Sequence, residues 1–183
     1  NGRPATLTNN VMASNQAHSF GSELWLGSDE GAATEVILLH NSFAGTGQGL
    51  YLGSSVTATL TNTIISGYDG SGLYADNGAL AELEATLWHA NGADSAGPGT
   101  IISQNNVYGD PAFVDPTGRN YHITLSSAAI NQGVNAGVGT DIDGQPRPYG
   151  WGYDIGADEL VRDVVPGVDS FSAVVSGTQI LLE

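Results

Sequence analysis

The stretch Leu60-Thr61-Asn62-Thr63-Ile64 contains a short pattern that returns along the first part of the chain. An asparagine is followed, two positions later, by an apolar residue, and a leucine precedes it in most copies. The related segments are Leu7-Thr8-Asn9-Asn10-Val11, Leu39-His40-Asn41-Ser42-Phe43, Leu83-Glu84-Ala85-Thr86-Leu87 and Ser103-Gln104-Asn105-Asn106-Val107. The central position recurs after 32, 21, 23 and 20 residues, which indicates an internal structural repeat.

A second pattern, an aromatic residue after a leucine, lies between copies of the first. It occurs as Leu24-Trp25-Leu26, Leu50-Tyr51-Leu52 and Leu73-Tyr74-Ala75, at intervals of 26 and 23 residues. About 20 to 26 residues make one coil of three short strands and three bends, and stacked coils pair their strands in parallel about 4.8 Å apart. A leucine-rich repeat has a similar period, but its fixed leucine frame is absent. The sequence therefore predicts an all-β fold, a right-handed parallel β-helix (a solenoid).

Two places depart from this regular pattern. The first interval is about ten residues too long, which predicts an insertion within 15–30. Residues 79–90 place leucines at helical spacing, so helix competes with strand there.

The recurring asparagines predict a ladder inside the stack. An inward asparagine at the same corner of each coil would satisfy backbone groups that the bend leaves unpaired. The ladder residues are Asn9, Asn41, Asn62 and Asn105, and Ala85 interrupts the series.

Composition excludes several classes of protein. The 183 residues carry a formal charge of −15, with four arginines, no lysine and no cysteine. A nucleic-acid binder needs a basic surface, and a membrane span needs about 20 consecutive apolar residues; the chain has neither. Because it begins at Asn1 without a signal peptide, we expect it to be a piece of a longer protein, and residues 182–183 could be a cloning scar.

After residue 108 the repeat gives way to a different series of motifs. They are Gly109-Asp110-Pro111-Ala112-Phe113-Val114-Asp115-Pro116, Tyr121-His122-Ile123, Leu125-Ser126-Ser127-Ala128-Ala129-Ile130-Asn131-Gln132-Gly133, Asp141-Ile142-Asp143-Gly144-Gln145-Pro146-Arg147 and Asp154-Ile155-Gly156-Ala157-Asp158-Glu159. This series resembles the C-terminal region of bacterial secreted parallel β-helix proteins of the pectate-lyase-like superfamily, especially the choice-of-anchor group. The resemblance implies an extracellular or cell-surface protein and no single activity.

The predicted organisation has three parts. Residues 1–108 form the coils, and 109–160 form a loop and strand cap over the C-terminal end of the stack. Residues 161–183 form a terminal strand or two, or begin a further module. The N-terminal edge has no evident cap, so self-association through it is an expectation.

The chemistry of β-helix enzymes is poorly represented in the coils. Lyases of this fold need an arginine or lysine base beside calcium-binding carboxylates, and residues 5–108 contain neither cation. No in-register pair of carboxylates suited to glycoside hydrolysis is evident either. The preferred function is a non-catalytic extracellular module, and the alternative is a fragment of a polysaccharide lyase or glycoside hydrolase whose catalytic coils lie upstream.

Trp25, Tyr51 and Tyr74 form the candidate carbohydrate site. Their flanking apolar neighbours share one face, so the three aromatic side chains project from the other, outside adjacent coils. Such a row could contact the rings of a neutral glycan or another cell-surface component, since the net charge repels polyuronates. The favoured alternative is that the rings pack on each other.

The stretch Asp141-Ile142-Asp143-Gly144 resembles half of a calcium loop. Asp154 and Glu159, with Asp158 beside them, could complete a calcium site if the fold brings them back. In the favoured alternative Arg147 pairs with these acids and holds the turn closed. The four histidines occupy unrelated repeat positions, which indicates structural or surface roles.

Overall fold

The computed structural model describes residues 4–15, 23–27, 32–161, 173–176 and 179–182. These residues form strands and loops and contain no helix, and so none that could cross a membrane. In chain order the strands are β1 (Ala5–Thr8), β2 (Val11–Ala13), β3 (Leu24–Leu26), β4 (Thr34–Leu39), β5 (Ser42–Ala44), β6 (Leu50–Leu52), β7 (Val56–Ser66), β8 (Ser71–Ala75), β9 (Leu80–His89), β10 (Ala93–Ala96), β11 (Thr100–Gln104), β12 (Val107–Tyr108), β13 (Phe113–Asp115), β14 (Asn120–Ile123), β15 (Ala173–Ser176) and β16 (Gln179–Leu182).

Two parallel sheets stack the first twelve strands into a β-solenoid of about four coils. In the eight-stranded sheet, β7 and β9 bend in the middle, so their first halves pair with β4 and β11 and their second halves with β5 and β12. The four-stranded sheet has the order β10-β8-β6-β3. The predicted all-β parallel solenoid is confirmed, while its right-handedness stays a prediction. Residues 80–89, where helix competes in the sequence, form strand β9.

Alternation along the strands builds the interior of the solenoid. In β7, Val56, Ala58 and Leu60 are fully buried, while Thr57 and Thr59, which alternate with them, are partly exposed. The apolar side chains from successive coils meet in one cluster, which includes Val36, Leu38, Phe43, Leu50, Leu52, Leu60, Leu73, Ala81 and Leu83. Every coil contributes to this core, so the repeat in the sequence follows from the repeated burial of one strand face.

One corner of each coil adopts a left-handed backbone conformation. The residues at this corner are Asn9, His40, Asn62, Ala85 and Asn105, with φ values of 54°, 51°, 54°, 52° and 52°. Asparagine tolerates this conformation better than most residues, which explains why it recurs. The strand register aligns His40, and not Asn41, with the other four residues.

The predicted ladder of hydrogen bonds between the side-chain amides of Asn9, Asn41, Asn62 and Asn105 is wrong, because these side chains bond to other groups. Asn9 donates from Nδ2 to the carbonyl oxygen of Thr140 at 2.7 Å, and Asn62 donates to that of Val134 at 2.7 Å. Both bonds lead out of the stack toward the C-terminal segment. The repeated asparagine reflects the positive φ that the bend requires. That conformation does not determine which group the side-chain amide contacts.

Asn41 makes hydrogen bonds to backbone groups at the bend, which is the role that was predicted for the ladder. It is fully buried, and its Nδ2 donates to the carbonyl oxygens of Leu7 and Leu39 at 3.0 and 3.1 Å. Its Oδ1 accepts a hydrogen bond from the backbone N–H of Asn10 at 3.0 Å. One asparagine thus satisfies backbone groups of the first two coils at the bend.

The segment 109–160 lies along the side of the stack. Tyr121 Oη and Ser14 Oγ of the first coil are 3.2 Å apart, and the N–H of Ala157 donates to Ser42 Oγ of the second coil at 3.0 Å. The N–H of Gly156 donates to the carbonyl oxygen of Asn62 in the third coil at 2.9 Å. These contacts cross successive coils, which differs from the predicted cap over the C-terminal end.

A second apolar cluster joins this segment to the outer wall of the solenoid, which is formed here by the second halves of β7 and β9. The wall contributes Ile64, Ala85 and Leu87, and the segment contributes Ile123, Ala129 and Ile155. The outward corner at Ala85 is apolar because it is covered by this segment. The segment itself begins with the antiparallel pair β13–β14.

Other predicted features are tested only in part. The predicted insertion within 15–30 falls largely on residues 16–22 and 28–30, which lie outside the described residues. In the C-terminal part, β15 and β16 form an antiparallel pair. Strand β1 is terminal in its sheet, and self-association through this edge stays a prediction.

Ala90 provides a test of backbone strain outside the core. It is exposed and has a φ of 50°, a conformation that costs a side-chain-bearing residue about 1–2 kcal/mol. Ala90→Gly is expected to raise the free energy of unfolding by about 0.5–1 kcal/mol, because the relief exceeds the added entropy of the unfolded chain. Urea denaturation measures the change. The control Ala96→Gly, in strand β10, should destabilise, and a lower midpoint for Ala90→Gly would contradict the expectation.

Candidate functional site

The aromatic row lies on the four-stranded sheet. The register of β3, β6 and β8 pairs Trp25 with Tyr51 and Tyr51 with Tyr74. Leu50 and Leu52, which flank Tyr51, are buried, while Tyr51 itself is partly exposed. The predicted alignment of the three aromatic residues on the outer face is confirmed.

The three rings differ in what they offer a ligand. The rings of Tyr51 and Tyr74 stack with a centroid distance of 5.4 Å and an interplanar angle of 4°, so these two faces are occupied by each other. Trp25 is 59 % exposed, and its ring lies over Gly27, where an added Cβ would overlap it. The packing alternative thus holds for the tyrosine pair, and Trp25 is the most accessible ring of the row.

A carboxylate lies beside the aromatic row. The hydroxyl of Tyr51 donates to Asp76 Oδ2 at 3.0 Å, and Ser54 Oγ donates to the same oxygen at 3.5 Å. The row therefore combines an apolar ring surface with hydroxyl and carboxylate groups that can exchange hydrogen bonds with a polyol.

Three of the four carboxylates of the predicted calcium set, those of Asp141, Asp154 and Glu159, accept hydrogen bonds from backbone N–H groups. Asp141 Oδ1 accepts from the N–H groups of Asp143 and Gln145, and its Oδ2 accepts from that of Glu159. Asp154 accepts from the N–H groups of Asn131 and Leu160 at 2.7 and 2.8 Å. Within the described chain, no three of the predicted ligands Asp141, Asp143, Asp154 and Glu159 offer ligand atoms within 4.8 Å of one another. The structure therefore does not assemble the predicted calcium site.

Arg147 holds this turn from the inside, as the alternative predicts. Its Nη1 donates to Glu159 Oε2 at 2.8 Å, and both side chains are fully buried. Its Nη2 donates to the carbonyl oxygen of Gly156 at 2.8 Å. Glu159 also accepts from the N–H groups of Tyr149 and Asp154. Burial raises the pKa of Asp154, while the N–H groups that it accepts from act in the opposite direction.

Sequence reasoning missed a group that includes His122. His122 Nε2 lies 2.7 Å from Asp143 Oδ2, and the carboxylate of Asp158 lies near both side chains. The three residues are far apart in the chain and meet only because the turn 141–144 folds against β14. The alternation in Tyr121-His122-Ile123 indicates that His122 projects outward, but it does not reveal its partners.

A cleft of about 340 Å³ lies between the coils and the β13–β14 pair. It is lined by Ser14, Ala44, Gly45, Thr46, Ser66, Gly67, Phe113, Pro116, Thr117 and Tyr121. Glu23 lies behind Gly45, and burial raises the pKa of its carboxyl group despite hydrogen bonds from Asn15. The cleft offers hydroxyl groups and aromatic edges but no cation.

Two acids share the outer face of β9. Glu82 and Glu84 alternate with inward residues, so both line a shallow depression with Thr59, Ile102 and Gln104. The amide groups of Gln104 and Asn105 donate to the two oxygens of Glu84. These bonds favour a structural role for Glu84 in joining the last two coils.

The fold and these sites define an all-β parallel solenoid with an outer aromatic row and a C-terminal segment along its wall. Comparisons of the chain with protein-family models, curated proteins and solved structures found no match.

Proposed function

We propose that the chain is a non-catalytic β-solenoid module of an extracellular or cell-surface bacterial protein, and that its aromatic row contacts a neutral glycan. The observation that carries the proposal is the exposed ring of Trp25, in register with Tyr51 and Tyr74 on one outer face. The extracellular location is supported by the motifs after residue 108, which resemble those of secreted choice-of-anchor proteins.

The neutral character of the glycan follows from the charges around the row. Asp76 lies against Tyr51, and the coils from 5 to 108 contain no arginine or lysine. A polyuronate would bring its carboxylates toward this acidic surface without a cation to pair with. A neutral sugar can place its apolar ring face on Trp25 while its hydroxyl groups bond to the neighbouring polar side chains.

Trp25→Ala is expected to weaken binding of a neutral polysaccharide about tenfold, because it removes the most accessible ring. Affinity electrophoresis in gels that contain soluble β-glucan, mannan or xylan measures the retardation, with polygalacturonate as the acidic comparison. Trp151→Ala is the matched control, since Trp151 is 99 % exposed but lies in the C-terminal segment. The buried Trp88 remains in both variants and reports by fluorescence that the fold is intact.

Gly27→Ala tests the same site without removing the ring. Its Cβ would lie 1.9 Å from Cη2 of Trp25, so the ring must move. The variant should lose retardation together with Trp25→Ala. Equal mobility of wild type and Trp25→Ala in every neutral gel would refute the glycan contact.

A further inference from the structure

We propose that His122, Asp143 and Asp158 form a binding site for a divalent transition-metal ion of the zinc class. Each residue offers one ligand atom, and the three atoms lie within 4.8 Å of one another. The site lies where β14 meets the turn 141–144 and the last residues of the segment along the wall. The inference does not depend on the glycan proposal. The aromatic row lies on β3, β6 and β8 of the four-stranded sheet, whereas His122 lies on β14.

The hydrogen bonds of His122 orient the ring for metal binding. Nδ1 lies 2.6 Å from Asn120 Oδ1, and the same oxygen accepts the backbone N–H of His122 at 3.2 Å, which identifies it as the acceptor end of the amide. Nδ1 therefore carries the proton. In the neutral ring, Nε2 then presents its lone pair toward Asp143 Oδ2 at 2.7 Å. A ligand histidine is typically held in this way, with the second nitrogen donating to an oxygen.

Two facing lone pairs at this distance require a cation between or beside them. Either a proton makes His122 an imidazolium, or a metal ion is shared by Nε2 and the carboxylate. Asp158 favours the metal ion, because it offers a third ligand atom at the same point, which a metal ion uses and a single shared proton does not.

Asp158 is a buried carboxylate with few partners. It is 6 % exposed, and its Oδ2 accepts the N–H of Ile123 at 2.8 Å. Among the described residues, its other oxygen accepts no hydrogen bond. Burial raises the pKa of Asp158, while the N–H group of Ile123 and the nearby His122 act in the opposite direction. Arg147 donates to Glu159 and to the backbone carbonyl oxygens of Asp154 and Gly156, and not to this carboxylate.

The donor set selects the kind of ion. One imidazole nitrogen with two carboxylates suits Zn²⁺, Co²⁺ and related ions, whereas Ca²⁺ prefers six to eight oxygen ligands. The side chains of His122 and Asp143 are 45 % and 43 % exposed, so water can complete the coordination. The bound ion would tie the turn to β14.

Isothermal titration of tag-free, chelator-treated protein with Zn²⁺, Co²⁺ and Ca²⁺ tests the proposal. We expect one equivalent of Zn²⁺ to bind, Co²⁺ to develop a visible absorption band, and Ca²⁺ to bind far more weakly. His122→Ala should abolish the Zn²⁺ isotherm. Asn120→Ala should weaken it about tenfold, because the ring loses its anchor.

His89→Ala is the matched control. His89 Nε2 also lies near an aspartate, Asp110 Oδ1, at 3.8 Å, but no third ligand joins that pair in the described chain. Zn²⁺ affinity should be unchanged in this variant. His122 is half-exposed, so its variant is expected to fold, which its metal-free melting curve verifies.

Two results would overturn the metal site. One is the absence of a saturable Zn²⁺ or Co²⁺ isotherm at neutral pH, which would leave the imidazolium pair with Asp143. The other is a Zn²⁺ isotherm that His122→Ala leaves unchanged, which would place the ion elsewhere.

Discussion

Arg147→Met is expected to lower the free energy of unfolding by about 3–5 kcal/mol, because it leaves Glu159 buried without its cation. Glu159 is 1 % exposed, and the buried carboxylates of Asp141 and Asp154 lie in the same hydrogen-bonded turn. Methionine restores much of the volume but none of the donors to Glu159 and Gly156. A domain of this size typically has only about 5–15 kcal/mol of stability, so urea denaturation should detect the loss easily.

Two further variants separate the buried charge from a general effect of losing an arginine. Arg119→Met removes an exposed arginine and should change stability by less than about 0.5 kcal/mol. Arg147→Met combined with Glu159→Gln removes both charges and should recover part of the loss. A midpoint for Arg147→Met equal to that of wild type would show that the pair does not stabilise the turn.

The repeat was sufficient to predict the solenoid because each coil buries the same strand face. The recurring asparagine, by contrast, predicts the conformation of the corner and not a ladder of side-chain hydrogen bonds. Asparagine recurs at this corner, as at Asn62, because the backbone there has a positive φ. His40 and Ala85 occupy the same corner in other coils. Conformation is repeated at every coil, whereas the partner of each corner side chain depends on what covers the wall.

The candidate sites also differ in whether they depend on the repeat or on the irregular segment after it. The row of Trp25, Tyr51 and Tyr74 could be predicted, since strand alternation and the repeat interval place all three. The contact of His122 with Asp143 could not, because it depends on how an irregular segment folds back on itself. The position of that segment beside the coils is also invisible in a local pattern, since its contacts join residues as distant as Asn9 and Thr140.

Acidification from pH 7.5 to 5 is expected to cost the folded chain about 2 kcal/mol through His40 alone. His40 is fully buried at the corner of the second coil, with Nε2 2.9 Å from Asn62 Nδ2. Burial, and then the charge of Arg147, lowers its pKa to about 3. The unfolded chain takes up a proton near the ordinary histidine pKa of about 6.5, so protons favour unfolding throughout the interval between these values. The stability contributed by neutral His40 is complete above the unfolded pKa and decreases as pH falls.

His40→Asn isolates this contribution, because asparagine occupies the same left-handed corner at positions 9, 62 and 105. The variant should be less stable at pH 7.5 by about 1–2 kcal/mol, owing to the smaller side chain. Its further loss between pH 7.5 and 5 should be about 2 kcal/mol smaller than that of wild type. His89→Asn, at a partly exposed histidine, should leave the wild-type pH dependence intact. Urea midpoints at both pH values measure all three proteins. If His40→Asn loses as much stability on acidification as wild type does, the buried histidine is not the origin of the acid sensitivity.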